Sequence, residues 1–430
     1  MKHTVNLPNW LKASTVNDAP SQPAWRLAAA KQYWQAFLAQ GLPTRQHERW
    51  RYADLAFLNK HDFSTPSQVN AEKLEDTIHQ YRLHYGDSIL LVLINGCFMP
   101  TLSDLTKLPE QVIACSWQQA LREHTALIPQ HHQSVVDAKR YPFVALNTAL
   151  GSDGLFFYVP AQTTIPAAVH VLCLSMEQTT FVTYPQHTII LGEQSEVTWL
   201  EEHFSQLDQT YLTNQVTQLI VEKNAKLNYY KIQAEGREAA HLAHTFVQQA
   251  ANSQTRFTHF STGAAVARDE LQVTLQGSGA DCRTAGFYHT RADNQYIDHH
   301  VDICHAASHT QSDMLYKGIL EQRSRAVFNG RLLVEKDAQK IVAYQANHHL
   351  LLSANAEAYA KPELEIYADE VKCKHGATTG CLDQDALFYL RSRGIEHDEA
   401  LSLLLHAFAE EVTQRINHVG IKARIQEILC

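Results

Sequence analysis

The chain has 430 residues, 45% of them hydrophobic and 19% charged, and its 36 basic and 45 acidic side chains give a formal charge of -9 at pH 7. That length suits roughly two to four domains or one elongated repeat fold, in a globular composition. The acidic balance excludes nonspecific nucleic-acid binding, which needs a positive surface to displace counterions from phosphates, and the longest apolar run, around Ile89 to Ile94, is far too short to cross a bilayer.

Met1 to Asn17 lacks the basic start and apolar run of a secretory signal, so a cytoplasmic chain is expected. The cysteines (Cys97, Cys115, Cys173, Cys282, Cys304, Cys373, Cys381 and Cys430) are too dispersed for a compact disulfide framework, and free thiols are expected. Pro23 precedes a helical run from Ala24 to Gln40, with Leu27, Ala30, Trp34, Phe37 and Leu38 at helical spacing, and Gly41-Leu42-Pro43 stops it. Ser88 to Ile94 reads as a buried strand. Leu102 to Leu127 returns to a helical tendency interrupted by Pro109, so the first 130 or so residues read as a small, mainly helical region.

From about Ala138 to Ile366 the texture changes to short Val, Ile, Leu, Tyr and Phe runs between polar turns. Examples are Leu155 to Val159, Val169 to Leu174, His187 to Leu191, Val197 to Leu200 and Lys226 to Ile232. Sandwiches, barrels and solenoids all give this pattern. A recurrence of strand end, polar or glycine turn and strand start, beginning at Leu191, Val221, Leu275, Val334 and Tyr367, favours the coils of a β-helix. Chance similarity of turn chemistry is the alternative. After Asp383 the period is helical: Asp385 to Arg393, closed by Gly394, then Glu399 to Ile416 with a stripe of Leu401, Leu404, Leu405, Phe408, Val412 and Ile416, then Ile421 to Leu429. This module either caps the β region or carries a partner site.

Several catalytic signatures are missing: there is no phosphate-binding Gly-rich loop with Lys and Ser or Thr, no Gly-x-Ser-x-Gly elbow, no His-Glu-x-x-His and no Cys-x-x-Cys. What stands out is Cys373 two residues from His375, on one face of an extended strand. Both are ligands for soft or borderline metals, and an imidazole beside a thiol can lower its pKa. Two ligands are too few for a closed tetrahedral site, so others must come from another segment or another protein. Cys381 lies eight residues on, across possible bends at Gly376 and Gly380. A second group, His289, His299, His300, His305 and His309, reads most simply as hydrogen-bonded surface or interface histidines, with His305 and His309 at same-face strand spacing; a metal site is the sharper alternative.

Several longer stretches point to one family: Tyr316-Lys317-Gly318-Ile319, Ser324-Arg325-Ala326-Val327-Phe328-Asn329-Gly330, Ala338-Gln339-Lys340, Tyr344-Gln345-Ala346-Asn347, Leu350-Leu351-Leu352-Ser353, Pro362-Glu363-Leu364-Glu365-Ile366 and Phe388-Tyr389-Leu390-Arg391-Ser392-Arg393-Gly394-Ile395. To these Leu42-Pro43-Thr44-Arg45 adds an amino-terminal motif with Glu48, Trp50, Arg51 and Tyr52. In order and density they resemble the SufB/SufD family of iron-sulfur cluster assembly proteins.

The resemblance implies an all-β core, a right-handed parallel β-helix over 136–382, between an N-terminal mainly helical domain over 1–135 and a C-terminal helical partner-binding domain over 383–430. It implies a non-catalytic scaffold that forms a heterodimer with SufB and binds the SufC ATPase through its C-terminal helices, whose stripe supplies the docking surface; ATP-driven closure of SufC would then shift the interface. His375 would face SufB cysteine and glutamate groups where the nascent cluster forms, as a cluster-interface and metal ligand, with Cys373 beside it. Lys374 stands where Ser is more usual, and Cys381 where a thiol is uncommon. No cofactor is expected to be tightly bound in the isolated chain, only transient iron or an iron-sulfur cluster in the complex. A homodimer is expected to be possible for the chain alone, and no nucleic-acid or membrane partner. The rivals are a purely structural β-helix partner and a stand-alone thiol- or metal-dependent enzyme with Cys373 as nucleophile and His375 as base.

Overall fold

The computed structural model describes residues 7–16, 22–67, 74–83, 87–128 and 140–429. Residues 1–6 and Asn17 of the segment read for an export signal, the texture change at Ala138, the expected boundary at 135/136, and Cys430 lie outside them.

The short β-branched and aromatic runs fold as a two-faced parallel solenoid. One sheet runs from Cys97–Phe98 and Ser88–Ile94 through Ala168–Ser175, Glu196–Ser205, Lys226–Ala234, Gln254–Ser261, Asp281–Thr290, Gln311–Leu320 and Ile341–Leu351 to Val371–Cys381. The second runs from Ile113–Ser116 through Gly154–Val159, Gln186–Leu191, Tyr211–Val221, Ala239–Gln249, Val266–Leu275, Tyr296–His305 and Arg325–Val334 to Glu357–Ile366. The chain alternates between the sheets, so each pair of strands is one coil of the expected parallel β-helix. The antiparallel pairings lie at the outset, Ser88–Ile94 with Cys97–Phe98 and Ile113–Ser116 with Gly154–Val159.

The turn recurrence seen in the sequence is one corner of this solenoid. Gln162, Gln194, Asn224, Asn252, Gly279, His309 and Lys340 all take left-handed backbone there, roughly 30 residues apart, the spacing of a coil. Amide and carbonyl groups join successive corners, as in Gln194 N to Lys223 O (3.0 Å), Asn224 N to Ala251 O (3.0 Å) and Lys340 N to Glu370 O (2.7 Å). Asn tolerates this conformation because its short polar side chain can bond locally. His309 sits in this corner rather than on a strand, so it shares no strand face with His305.

Two readings are corrected. The region taken as all strands contains a helix, Pro142–Leu150, buried along almost its whole length, so no polar face marks its period. Between Leu102 and Leu127 the only α-helix is Trp117–Glu123, because Ile113–Ser116 pairs with Gly154–Val159 and tertiary pairing overrides local propensity. Ala24–Gln40 is helical as expected, ended by Gly41 at φ 73°. Among the described residues no helix is long and apolar enough to cross a membrane.

The interior is apolar at its corners and polar along its middle. Trp199, Tyr229, Phe257 and Phe328 pack there beside buried Glu201, Glu235, Asp269, Lys231 and several histidines. Burial alone would raise the Glu235 carboxyl, but His241, 2.8 Å away, prevails and holds it at about 2. Burial pushes His187, His299, His305 and His349 down to about 4, so they are neutral inside the fold. His299 and His305 are core residues, not the surface histidines expected, and His300 is buried on the outer face of its strand: His305 meets the Thr310 and Ser312 hydroxyls at 2.7 and 2.9 Å, and His300 meets Asp298 at 2.9 Å.

Glycine is required where neighbouring coils exchange rings. A Cβ on Gly286 would lie 2.1 Å from the Tyr316 ring, and one on Gly318 2.0 Å from the Tyr288 ring. Gly318→Ala is expected to destabilise the fold by about 1–3 kcal/mol, read as a lower urea midpoint; an unchanged midpoint would show that the tyrosines move aside without cost.

The buried histidines also set an acid response. Unfolding returns their pKa to the ordinary 6.5, so the unfolded chain binds more protons below that pH. Stability is expected to be fully present above about pH 6.5 and to fall as pH drops through about 4, with the Glu235 contribution lost lower still, as pH falls from 4.5 through about 2. Urea midpoints measured from pH 8 to 4 check this, and His305→Gln should flatten the slope between 6.5 and 4.

Candidate functional site

Val371–Cys381 is the last strand of its sheet, paired on one side with Ile341–Leu351 and on the other with nothing among the described residues. The register places Cys373 beside Ala343, His375 beside Gln345, Ala377 beside Asn347 and Thr379 beside His349. Cys373 and His375 share the inward face, as their spacing requires. Cys373 is half-buried against the core and burial raises its thiol pKa, opposed by a backbone hydrogen bond from Ala343; the neighbouring imidazole does not lower it. His375 is exposed.

Cys381 is not near them. Gly376 and Gly380 continue the ladder opposite Ala346 and Leu350 instead of bending it, so the thiols stand about 26 Å apart at 3.3 Å per residue. Among the described residues no group of three or more His, Cys, Asp or Glu is arranged to hold a metal, and the described cysteines are free. The second histidine group disperses: His299 and His305 point inward, His300 outward to Asp298, and His289 pairs with Glu321 at 2.7 Å.

Beneath the edge strand lies a polar floor that the reading of candidate ligands missed, although Tyr316, Gly330, Gln345 and Asn347 belong to the quoted motifs. Gln345 Nε2 donates to the Gly330 carbonyl at 3.0 Å, Asn347 Nδ2 to the Tyr316 carbonyl at 3.1 Å, and the Tyr288 hydroxyl lies 2.6 Å from His349 Nε2. A Cβ on Gly330 would lie 2.2 Å from Gln345 Nε2. The motifs are therefore the packing of the last coils under His375.

The amino-terminal motif is a strap across the second sheet. The Arg49 guanidinium reaches Glu270 at 2.6 Å and Asp302 at 3.1 Å, Arg268 lies 4.0 Å over the Trp50 ring, and Tyr52 stacks on Tyr359 at 4.2 Å in the other terminal strand. The C-terminal helices Gln384–Ser392, His397–Thr413 and Val419–Leu429 divide their apolar surface. Val412, Ile416, Ile421 and Ile425 pack on Tyr230, Ile232, Phe260 and Phe287 of the chain's own sheet, and Arg424 bonds buried Glu202 at 3.0 Å. Part of the expected docking stripe is thus spent on capping the solenoid. Phe388 and Tyr389, 72% and 57% exposed, remain uncovered one helix earlier.

Residues 174–408 match the family described as SUF system FeS cluster assembly, SufBD core domain, and residues 21–171 match the SufBD protein N-terminal region. The chain is 30% identical over 407 residues to the iron-sulfur cluster assembly protein SufD of Escherichia coli, covering 93% of this chain and 91% of that protein. It is 30% identical over 395 residues to a SufBD family protein of Synechocystis, slr0076 (90% and 86%), and 25% identical over 423 residues to the SufD of Bacillus subtilis (95% and 94%). A strand edge bearing Cys373 and His375, a floor built from the quoted motifs and matches along nearly the whole chain lead to one assignment: the chain belongs to the SufBD family of iron-sulfur cluster assembly proteins.

Proposed function

We propose that the chain is a non-catalytic scaffold subunit of a SUF complex, pairing with a SufB partner along its terminal strands and carrying the SufC ATPase on its C-terminal helices. The observation that carries this reading is the end of the solenoid, where the inward-facing pair Cys373 and His375 lies on a strand whose outer edge is unpaired among the described residues. An open edge favours pairing with another chain, and two ligands favour completion from outside. His375 is the assigned ligand toward iron or the nascent cluster, with Cys373 a packing neighbour whose raised thiol pKa argues against a nucleophile. The iron and sulfide are cargo of the assembly. A purely structural pairing role is the second reading, favoured by the half-burial of Cys373.

Co-expression with SufB and SufC separates the two. His375→Ala is expected to leave the yield of complex unchanged and to lower iron and sulfide loading roughly tenfold, the scale of losing a metal-supporting group. Loading equal to wild type would leave only the structural role.

The ATPase assignment is best tested without truncation, because deleting the last helices strips the cap from Tyr230 and Phe260. Phe388→Glu with Tyr389→Ser alters exposed side chains and should change stability by no more than about 0.5 kcal/mol. SufC capture should be lost while SufB capture is kept; retained SufC capture would move the docking surface elsewhere.

A further inference from the structure

The polar middle of the solenoid carries more hydrogen-bonding capacity than its side chains use. Gln215 Oε1, His259 Nε2, His299 Nε2, Tyr316 OH, Asn347 Oδ1 and His349 Nδ1 are all buried without a hydrogen-bond partner among the described residues. The register makes them neighbours rather than isolated defects. Gln215, Ala243, Asp269 and His299 stand in successive rungs of one sheet, and Lys231, His259, Gly286, Tyr316 and Asn347 in successive rungs of the other. Ring contacts of His299 bridge the sheets, to His259 at 6.5 Å, Tyr316 at 5.5 Å and Tyr288 at 5.2 Å, and Tyr288 meets His349 within its own sheet at 5.8 Å.

Unpaired buried polar atoms in native interiors are usually met by ordered water, where a polar site has room for it. Ala243 offers only a single methyl in register between the longer side chains of Gln215 and Asp269, the place along the column where a small side chain leaves most space to its neighbours. At the other end Asn347 and His349 pair with Ala377 and Thr379 of the terminal strand, which is exposed to solvent.

We propose that ordered waters run as a file through the solenoid from Gln215 to His349 and open to solvent beneath the strand that carries Cys373 and His375. The file supplies the missing partners of the imidazoles and amides and gives water a path between the Lys231–Asp269 ion pair (2.5 Å) and the open end. It goes beyond the assembly role and does not depend on it, since every participating residue belongs to this chain.

The test uses the full chain alone. A crystal structure near atomic resolution is expected to show water within hydrogen-bonding distance of the Tyr316 hydroxyl, His299 Nε2 and Asn347 Oδ1, and Tyr316→Phe is expected to lose the water at that hydroxyl while keeping its neighbours. In solution, oxygen-17 relaxation dispersion should detect long-lived internal waters, fewer in Ala243→Val. A dry interior, or anomalous scattering that identifies a metal ion at these atoms, would overturn the proposal. So would a folded Ala243→Val with an unchanged long-lived water signal. Should that variant fail to fold, Tyr316→Phe, which keeps the ring packed on Gly286, still decides the question.

Discussion

In-register parallel stacking is the constraint on which the rest of this molecule depends. Each strand's backbone groups are satisfied by the coils before and after it, from Ala168–Ser175 to Ile341–Leu351. That arrangement fixes which residues face inward, aligns the corners and leaves the ladder unfinished at Val371–Cys381 and Glu357–Ile366. The position of Cys373 and His375 follows from it: no local geometry of their own sets them apart, only their place on the rung that has no successor among the described residues.

The same stacking explains why charge can live inside the fold. Repetition brings like positions together, so one polar inward residue acquires polar neighbours above and below it. Lys231 meets Asp269, His241 meets Glu235, and the Tyr229 and Gln215 side chains both bond Glu201. An isolated carboxylate there would be strongly disfavoured; held in paired columns, the Glu201, Glu235 and Asp269 carboxylates remain ionised, with Glu235 far below its ordinary range.

Much of this was legible in the sequence. The turn recurrence marked the coil corner through its order of strand end, polar or glycine turn and strand start, with Asn224 and Gly279 in the left-handed position that Asn and Gly favour, while Gln162, His309 and Lys340 in the same position carry no such signal. The strand from Ser88 to Ile94 and the helix from Ala24 to Gln40 were legible because length and flanking residues agreed with period. Pro142–Leu150 was not, since a helix buried on all sides has no period to read. The pairing of Cys373 and His375 on one face followed from spacing alone, but the distance to Cys381 depended on whether two glycines bend a strand or merely ride in it, which only the partner strand decides. Gln345 and Asn347 of the polar floor were present in the motifs, yet nothing local distinguishes an inward amide from a surface one.

The strap has a consequence in time. Glu48 pairs with Lys361, 313 residues later in the chain, and Trp50 and Tyr52 find Arg268 and Tyr359 only after those residues exist. At about 5–20 residues per second of synthesis, Glu48 and Tyr52 wait for tens of seconds before Lys361 and Tyr359 exist, although Trp50 can meet Phe143 sooner, and during that interval the growing solenoid presents one bare edge after another. The clasp closes only once the coil containing Tyr359 has formed. The early-made strap is in this way among the last segments to settle, and its closure marks a finished solenoid.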